Sequence, residues 1–323
     1  MERAYLGSTG IRVSKIVLGC GSFGGVGSSP AFFGRGESRE DAFAIMDAAW
    51  EAGVTTFDTA DAYGGGRSES WIGDWLRTKG SGVRDEIVLS TKTFNPMDEG
   101  EDHGLAPQRV KRQLESSLRR LGVEHVQMYL THAPDPDVPV AETLGALDEL
   151  VHEGKVGAIG ASNVDGADLR DALAASPGTR YGWVQNSYSL LDREAELEVL
   201  PLCVEAGLGF TPFSPLAGGW LTGKYARGAA APAGSRMTQR PEPYAHFLED
   251  DAVWRGLDGL AALAAERGTS QAALAIAWLL ADARVTAVVV GPRRPEQLEP
   301  ALTALEHPAT VAERDELARF FAR

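Results

Sequence analysis

Four polar residues stand just past the ends of three successive predicted strands. They are Asp58 and Tyr63 after Thr56-Phe57, Lys92 closing Leu89-Ser90-Thr91-Lys92, and His132 closing Tyr129-Leu130-Thr131-His132. In a closed barrel of parallel strands such ends converge on one rim, so the four side chains share a pocket. A carboxylate, a phenol, an amine and an imidazole gathered there can move a proton on and off an alcohol oxygen. A free phenol, with a pKa of about 10, is a poor acid at neutral pH, and a neighbouring ammonium lowers that value by stabilising the phenolate. Tyr63 is then the acid and Lys92 its activator, Asp58 keeps the lysine charged and oriented, and His132 positions a carbonyl oxygen or helps relay the proton. The chemistry is carbonyl reduction, or alcohol oxidation in reverse. Each residue alone has an ordinary use, as a helix cap, a structural histidine or a core tyrosine; the shared strand-end placement carries the reading.

The elements that must hold these groups alternate along the chain. Eight β-rich runs, near residues 13–18, 54–58, 87–91, 126–131, 156–160, 183–186, 209–212 and 287–290, are separated by amphipathic segments. Ala42, Ile45, Met46 and Ala49 keep the spacing of a helix packed on a sheet, and Pro107 opens another that Gly122 ends. This βα alternation predicts a (β/α)8 barrel, here taken as a single domain over residues 1–323. Gly7-Ser8-Thr9-Gly10 reads as the turn of an N-terminal β-hairpin at the barrel floor. Two long stretches rich in Gly, Pro and Ala, 24–37 and 217–247, follow the first and seventh strands on the predicted active rim. Loops of that length are usually functional or disordered, and the second is expected to order when a ligand arrives. Phe23, Tyr63, Phe94, His132 and Trp220 are the expected walls of a pocket for apolar or aromatic aldehydes and ketones.

Composition excludes several classes. A formal net charge of -14 over 323 residues argues against nucleic acid or an anionic membrane as partner. Cys20 and Cys203 are too few for a disulfide framework and lie in apolar surroundings, which suits buried free thiols in a reducing cytoplasm. No apolar run of about 18 residues and no leader-like start is present, so the protein is expected to be soluble and unexported.

Two motifs imitate nucleotide sites. Gly19-Cys20-Gly21-Ser22-Phe23-Gly24 matches the dinucleotide-binding glycine pattern after a strand, but coil continues where a helix should begin and no acidic residue closes a second strand. Gly21, Ser22 and Phe23 are instead expected to let backbone approach a ligand. Gly218-Gly219-Trp220-Leu221-Thr222-Gly223-Lys224 imitates a phosphate-binding loop, yet Tyr225 stands where Ser or Thr must hold magnesium. Lys224 remains available to a phosphate of another ligand. Asp58, Asp61 and His132 could serve as metal ligands in a hydrolase of the same fold, but no metal-binding spacing is present, and none is expected to bind one.

Further motifs run nearly end to end: Phe57-Asp58-Thr59-Ala60 with Tyr63-Gly64, Thr91-Lys92, Gly154-Lys155-Val156, Gly160-Ala161-Ser162-Asn163, Gln185-Asn186-Ser187-Tyr188 and Pro212-Phe213-Ser214-Pro215-Leu216. With them the chain resembles the aldo-keto reductase superfamily, in the branch of bacterial reductases and potassium-channel β-subunits. The resemblance implies a TIM barrel that binds NADP(H), and NAD(H) less readily, extended across the rim. It implies that Asp58, Tyr63, Lys92 and His132 are the catalytic tetrad. Ser162, Asn163 and Gln185 would hold the nicotinamide amide and Tyr188 would stack on the ring. Phe213, Ser214, Pro215, Leu216, Gly218 and Lys224 would line the pyrophosphate, and Gly291, Arg293 and Gln297 the adenosine 2′-phosphate end. The chain departs from the family at Pro300 and Ala301, where two adenine-side contacts are expected. It also implies, as the alternative, a cofactor-sensing subunit on the same barrel. Homo-oligomers are compatible with either.

Overall fold

Side chains on a β-strand alternate between two faces, and in a barrel one face fills the interior while the other meets the helices. The computed structural model describes residues 1–100, 102–175 and 178–322. Its strands obey this alternation. Two short strands come first, β1 (Arg3–Tyr5) and β2 (Arg12–Ser14), then β3 (Ile16–Gly19), β4 (Thr56–Asp58), β5 (Val88–Thr93), β6 (Val126–Thr131), β7 (Val156–Ser162), β8 (Trp183–Gln185), β9 (Gly209–Phe210) and β10 (Val288–Val290). The last eight form one parallel sheet in the order β10-β3-β4-β5-β6-β7-β8-β9. Thr286 N donates to Phe210 O at 2.8 Å and Val289 N to Pro212 O at 2.9 Å, joining the two end strands into a closed barrel.

Val17, Met128, Leu130, Ala158, Trp183, Ala287 and Val289 pack inside. Their neighbours one residue away, among them Ile16, Leu18, Tyr129, Ile159, Val184, Val288 and Val290, pack outward beneath the helices. Those helices include α1 (Arg39–Glu51), α2 (Arg67–Thr78), α3 (Ser81–Glu86), α4 (Pro107–Leu121), α5 (Val140–His152), α6 (Gly166–Ala175) and α7 (Val199–Ala206). The chain continues with α8 (Arg236–Gln239), α9 (Asp251–Glu266), α10 (Gln271–Leu280), α11 (Glu299–Glu306) and α12 (Val311–Phe320). The expected inner stripe of α1, Ala42, Ile45, Met46 and Ala49, is buried, and Ser38 with Asp41 forms a reciprocal cap at its start.

The predicted first strand divides. Val13 and Ser14 pair with β1 in the N-terminal hairpin, and only residues from Ile16 onward join the barrel. Ser14 Oγ causes the break by donating to Ile16 O at 2.6 Å and accepting from Thr55 N and Thr56 N at 3.2 Å, replacing ladder bonds at that point. Leu6 and Val13 of the hairpin pack into the interior cluster, so the hairpin closes the floor. Gly7 permits the approach: its φ is +52°, and a Cβ there would lie 2.4 Å from Gly209 N.

Candidate active site

The alternation that fills the barrel also aims the tetrad. Phe57 faces outward, so Asp58 faces in; Lys92 lies an even step from Val88, and His132 an even step from Leu130. Lys92 Nζ is 2.5 Å from Asp58 Oδ2 and 2.9 Å from Thr59 O, and it lies 5.1 Å from the centre of the Tyr63 ring. Asp58 Oδ1 accepts from Ser90 Oγ at 2.8 Å and from Gln185 Nε2 at 3.1 Å, which fixes the carboxylate on both sides. The Tyr63 and His132 rings meet edge to face, 5.5 Å apart. The ion pair lies buried below, while Tyr63 and His132 are half-buried above it.

Charge is distributed accordingly. Burial pushes the Tyr63 phenol up, against the Lys92 ammonium, which pulls it down; Asp58 adds a further upward push. The expected lowering of the phenol is thus offset, and Tyr63 remains protonated through the neutral range. Burial also opposes the charge on Lys92, but Asp58 and then Tyr63 outweigh it and hold the ammonium above its usual range. His132 is held well below the usual imidazole range, first by burial and then by Lys92, so the ring is neutral. Asn95 Nδ2 lies 3.1 Å from His132 Nδ1. With the amide donating there, the ring carries its proton on Nε2.

Tyr63 reaches the rim because Gly64, Gly65 and Gly66 turn the chain sharply behind it, with φ of +60°, +67° and +87°. A Cβ on Gly64 would lie 2.6 Å from Phe23 O. Gly21 forms a floor for the phenol, since a Cβ there would sit 3.4 Å from the Tyr63 ring. On the outer face of the sheet the same turn is held by a buried polar network. Thr93 Oγ1 donates to Asp61 Oδ2 at 2.7 Å and accepts from Arg109 Nη1 at 2.9 Å, while Glu69 accepts from Thr91 Oγ1 and Arg120 Nε. Burial and then Glu69 raise Asp61 to about 7. The two aspartates of the possible metal set, Asp58 and Asp61, therefore face opposite sides of the sheet. Among the described residues no group of three or more His, Cys, Asp or Glu side chains is arranged to hold a metal ion.

Beside the tetrad, β7 and β8 bring three amide-binding candidates together. Ser162 Oγ donates to Gln185 O at 2.7 Å, and Asn163 Nδ2 donates to His132 O at 2.8 Å and to Ser162 Oγ at 3.1 Å. Among the described residues, Asn163, Ser214 and Ala217 are the non-glycine ones with left-handed backbone, at φ of +57°, +55° and +45°, and all three lie on this rim. Such backbone is strained for residues with a Cβ and clusters at functional sites. Pro215 is buried and Leu216 half-buried beside them, and the Tyr244 ring lies over Gly218, 2.4 Å from where a Cβ would be. At the far end of the rim Arg293 N donates to Gln297 Oε1 at 2.8 Å, next to Gly291. Lys224 is held below the usual lysine range by desolvation and then by Arg293 and Arg236, and Arg236 in turn feels Arg240 and Arg293. Crowded cations at one end of a groove suit a ligand with several phosphate charges. Ser22 Oγ and Ser235 Oγ are buried on this rim without a hydrogen-bond partner, as open hydroxyl donors for such a ligand, and Glu37 Oε2 is buried there as an unpartnered acceptor.

Three expected contacts lie elsewhere. Tyr188 is an odd step beyond the inward Gln185 and falls on the outer face, where its ring packs on Trp278 and Phe210 and its hydroxyl meets Glu196 and Arg314. Both ring faces are enclosed by protein. Phe213, an even step beyond the inward Thr211, packs against the interior cluster and remains half-exposed at the rim. Trp220 is buried among Tyr225, Phe247 and Trp254, so it anchors the 217–247 loop rather than lining a pocket. Phe23 is likewise buried in the shell beneath the helices. Phe94 stays half-buried near the rim, edge-on to His103.

Several site residues carried no motif. Ser90 was detectable, two residues before Lys92 on the same strand face. Asn95, Glu37 and Arg240 sit in irregular segments where no period exists to place them, and Arg236 opens the four-residue helix α8, too short to show one.

The sequence matches the Aldo/keto reductase family over residues 15–320. It is 38% identical over 318 residues to the uncharacterized oxidoreductase YrpG of Bacillus subtilis (strain 168), covering 95% of this chain and 91% of that one. It is 34% identical to a probable voltage-gated potassium channel subunit beta of Oryza sativa subsp. japonica, covering 95% and 92% of the two chains. It is 32% identical to the NADH-specific methylglyoxal reductase of Escherichia coli (strain K12), covering 94% of each.

Proposed function

The chain belongs to the aldo/keto reductase family, and from that premise we propose that it is a nicotinamide-dependent oxidoreductase that reduces small aldehydes or ketones, with Tyr63 as proton donor. The observation that carries this reading is the buried Lys92–Asp58 pair, 2.5 Å apart, beneath a half-buried phenol. Bound at the rim, the reduced nicotinamide supplies the hydride. Tyr63 gives its hydroxyl proton to the carbonyl oxygen, and Lys92 offsets the charge left on the phenolate. Asp58 keeps Lys92 ionised and, through Ser90 and Gln185, in place. His132, neutral, orients the carbonyl oxygen by donating from Nε2. Phe213 supports the nicotinamide ring in the role first given to Tyr188, because its ring is the half-exposed one. Ser162, Asn163 and Gln185 take the carboxamide. Lys224, Arg236, Arg240 and Arg293 favour NADP(H), whose extra phosphate they suit.

The E. coli relative named as NADH-specific supports including NADH among the cofactors tested. The rice relative gives weight to a second reading, a cofactor-sensing subunit on the same barrel. Residues 1–323 act as one domain in either case, and the two buried thiols, Cys20 and Cys203, suit a reducing cytoplasm.

The experiment is NADPH and NADH consumption with a panel of aliphatic and aromatic aldehydes, using wild type and Tyr63→Phe. Loss of about 10²- to 10⁴-fold in kcat for the variant is the expected result. Equal turnover in both proteins excludes Tyr63 as the donor. Tight nucleotide binding without turnover on any carbonyl favours the sensing subunit.

A further inference from the structure

Glu37 ends the long loop after β3, and its place is built. Glu37 N donates to Ser22 O at 2.9 Å, and Gly24 N donates to Glu37 O at 3.1 Å. The preceding Gly36 has no room for a side chain, since a Cβ would fall 2.0 Å from Ser22 O. The carboxylate is 5% exposed and accepts from Arg293 Nε through Oε1, while Oε2 is buried without a partner. Arg293 Nη1 donates to Gly234 O and lies 3.4 Å from Gln239 Oε1. One guanidinium thus ties together the loops that follow the first, seventh and eighth barrel strands, and two of its three nitrogens are engaged.

We propose that Glu37 sets the balance between the two nicotinamide cofactors, weakening the hold on NADPH relative to NADH by engaging Arg293. This rests on the reading above, in which the nucleotide lies across the rim with its adenosine end at Arg293. An arginine binds phosphate best with two parallel N–H donors directed at it. Here Glu37 and Gly234 already occupy donors of that fork, and an incoming 2′-phosphate also meets the like charge of the Glu37 carboxylate. A ribose 2′-hydroxyl is neutral and can donate to a buried carboxylate oxygen that lacks a partner, as acidic residues do in other dinucleotide sites. Lys224, Arg236 and Arg240 remain nearby, so NADPH still binds; Glu37 narrows its margin.

The test is the equilibrium dissociation constant of each nucleotide, read by quenching of intrinsic tryptophan fluorescence, for wild type and Glu37→Gln. In wild type NADPH binds within ~10-fold of NADH; in Glu37→Gln it tightens by ~10-fold or more while NADH changes less than ~2-fold or weakens. An unchanged ratio between the two nucleotides overturns the proposal. Should Glu37→Gln not fold, the wild-type ratio decides alone, and a preference for NADPH of ~1000-fold overturns it. If wild type binds neither nucleotide, the cofactor reading itself falls, which is a different result from binding with an unaltered ratio.

Discussion

Lys92 Nζ lies 2.5 Å from Asp58 Oδ2, and the two side chains are 0% and 4% exposed. A buried pair of this kind is a weak net source of stability, because desolvation of both charges opposes their attraction. Its value is positional: it keeps an ammonium under the Tyr63 ring at all ordinary pH. Removing one partner leaves the other charge stranded.

Asp58→Asn should therefore destabilise the protein by about 3–5 kcal/mol. Lys92→Met, which removes the cation but leaves the carboxylate held by Ser90 and Gln185, should also abolish turnover while unfolding less readily than Asp58→Asn. Urea unfolding of the two variants beside wild type checks the order, and a fully stable Asp58→Asn would show that the charge is not stranded.

Asp61 makes stability depend on pH. Its carboxyl is raised from 3.8 to about 7 in the fold, by burial and then by Glu69, against Thr93, Arg109 and Arg120. Between those values the folded chain holds a proton that the unfolded chain has lost, so stability falls as pH rises from about 4 to 7, by at most about 4 kcal/mol. Asp61→Asn should flatten that slope and raise Tm at pH 8. A variant less stable than wild type at pH 8 would contradict the assignment.

His132 should not titrate near neutrality. Burial and Lys92 hold its imidazole well below 6.5. The folded ring stays neutral while the unfolded one gains a proton, so its contribution is complete above 6.5 and is lost as pH falls below that value. Imidazole NMR shifts followed from pH 8 to 5 should stay flat for the resonance lost in His132→Gln.

Phe213 and Tyr188 can be separated by what each substitution damages. Phe213→Ala should weaken binding of the reduced nicotinamide by ~10-fold or more with little change in Tm. Tyr188→Phe should leave binding intact and lower Tm, because Glu196 and Arg314 lose a buried hydroxyl partner. The reverse pattern would restore the stacking role to Tyr188.

Trp220 should govern the 217–247 loop. Its ring is 1% exposed against Tyr225, Phe247 and Trp254, and Trp220→Ala should cost about 3–5 kcal/mol of local or global stability. Limited proteolysis should cut the variant within the loop faster than wild type, and nucleotide should slow cutting in both. Equal cleavage with and without nucleotide would remove the loop from the binding event.

The barrel is legible because two periods run through the chain, 2 in the strands and about 3.6 in the helices; the inward Asp58, Lys92 and His132 follow from them, while Tyr63 depends on the turn at Gly64 to Gly66. The same period of two places Tyr188 outward and Phe213 inward, a distinction that the Gln185-Asn186-Ser187-Tyr188 motif does not carry. Trp220 and Phe23, expected as pocket walls, are buried anchors, because an aromatic residue near a rim suits either role and only packing separates the two. Glu37 and Asn95 lie in loops and Arg236 in the single turn α8, where the tertiary path of the backbone sets which side chains meet. Ser14 divided the first predicted strand through hydrogen bonds to residues 41 and 42 positions away, a link that no local pattern contains.

Leu6 and Val13 stopper one end of the barrel. With the interior filled by side chains and the floor shut, cofactor and substrate both reach the tetrad across the rim, so whichever lies beneath must arrive first and depart last. A dinucleotide spread over the rim would therefore wait for the alcohol to leave before its own exchange. Product-inhibition patterns competitive between the two nucleotide forms, and not between nucleotide and alcohol, would be the signature of that order.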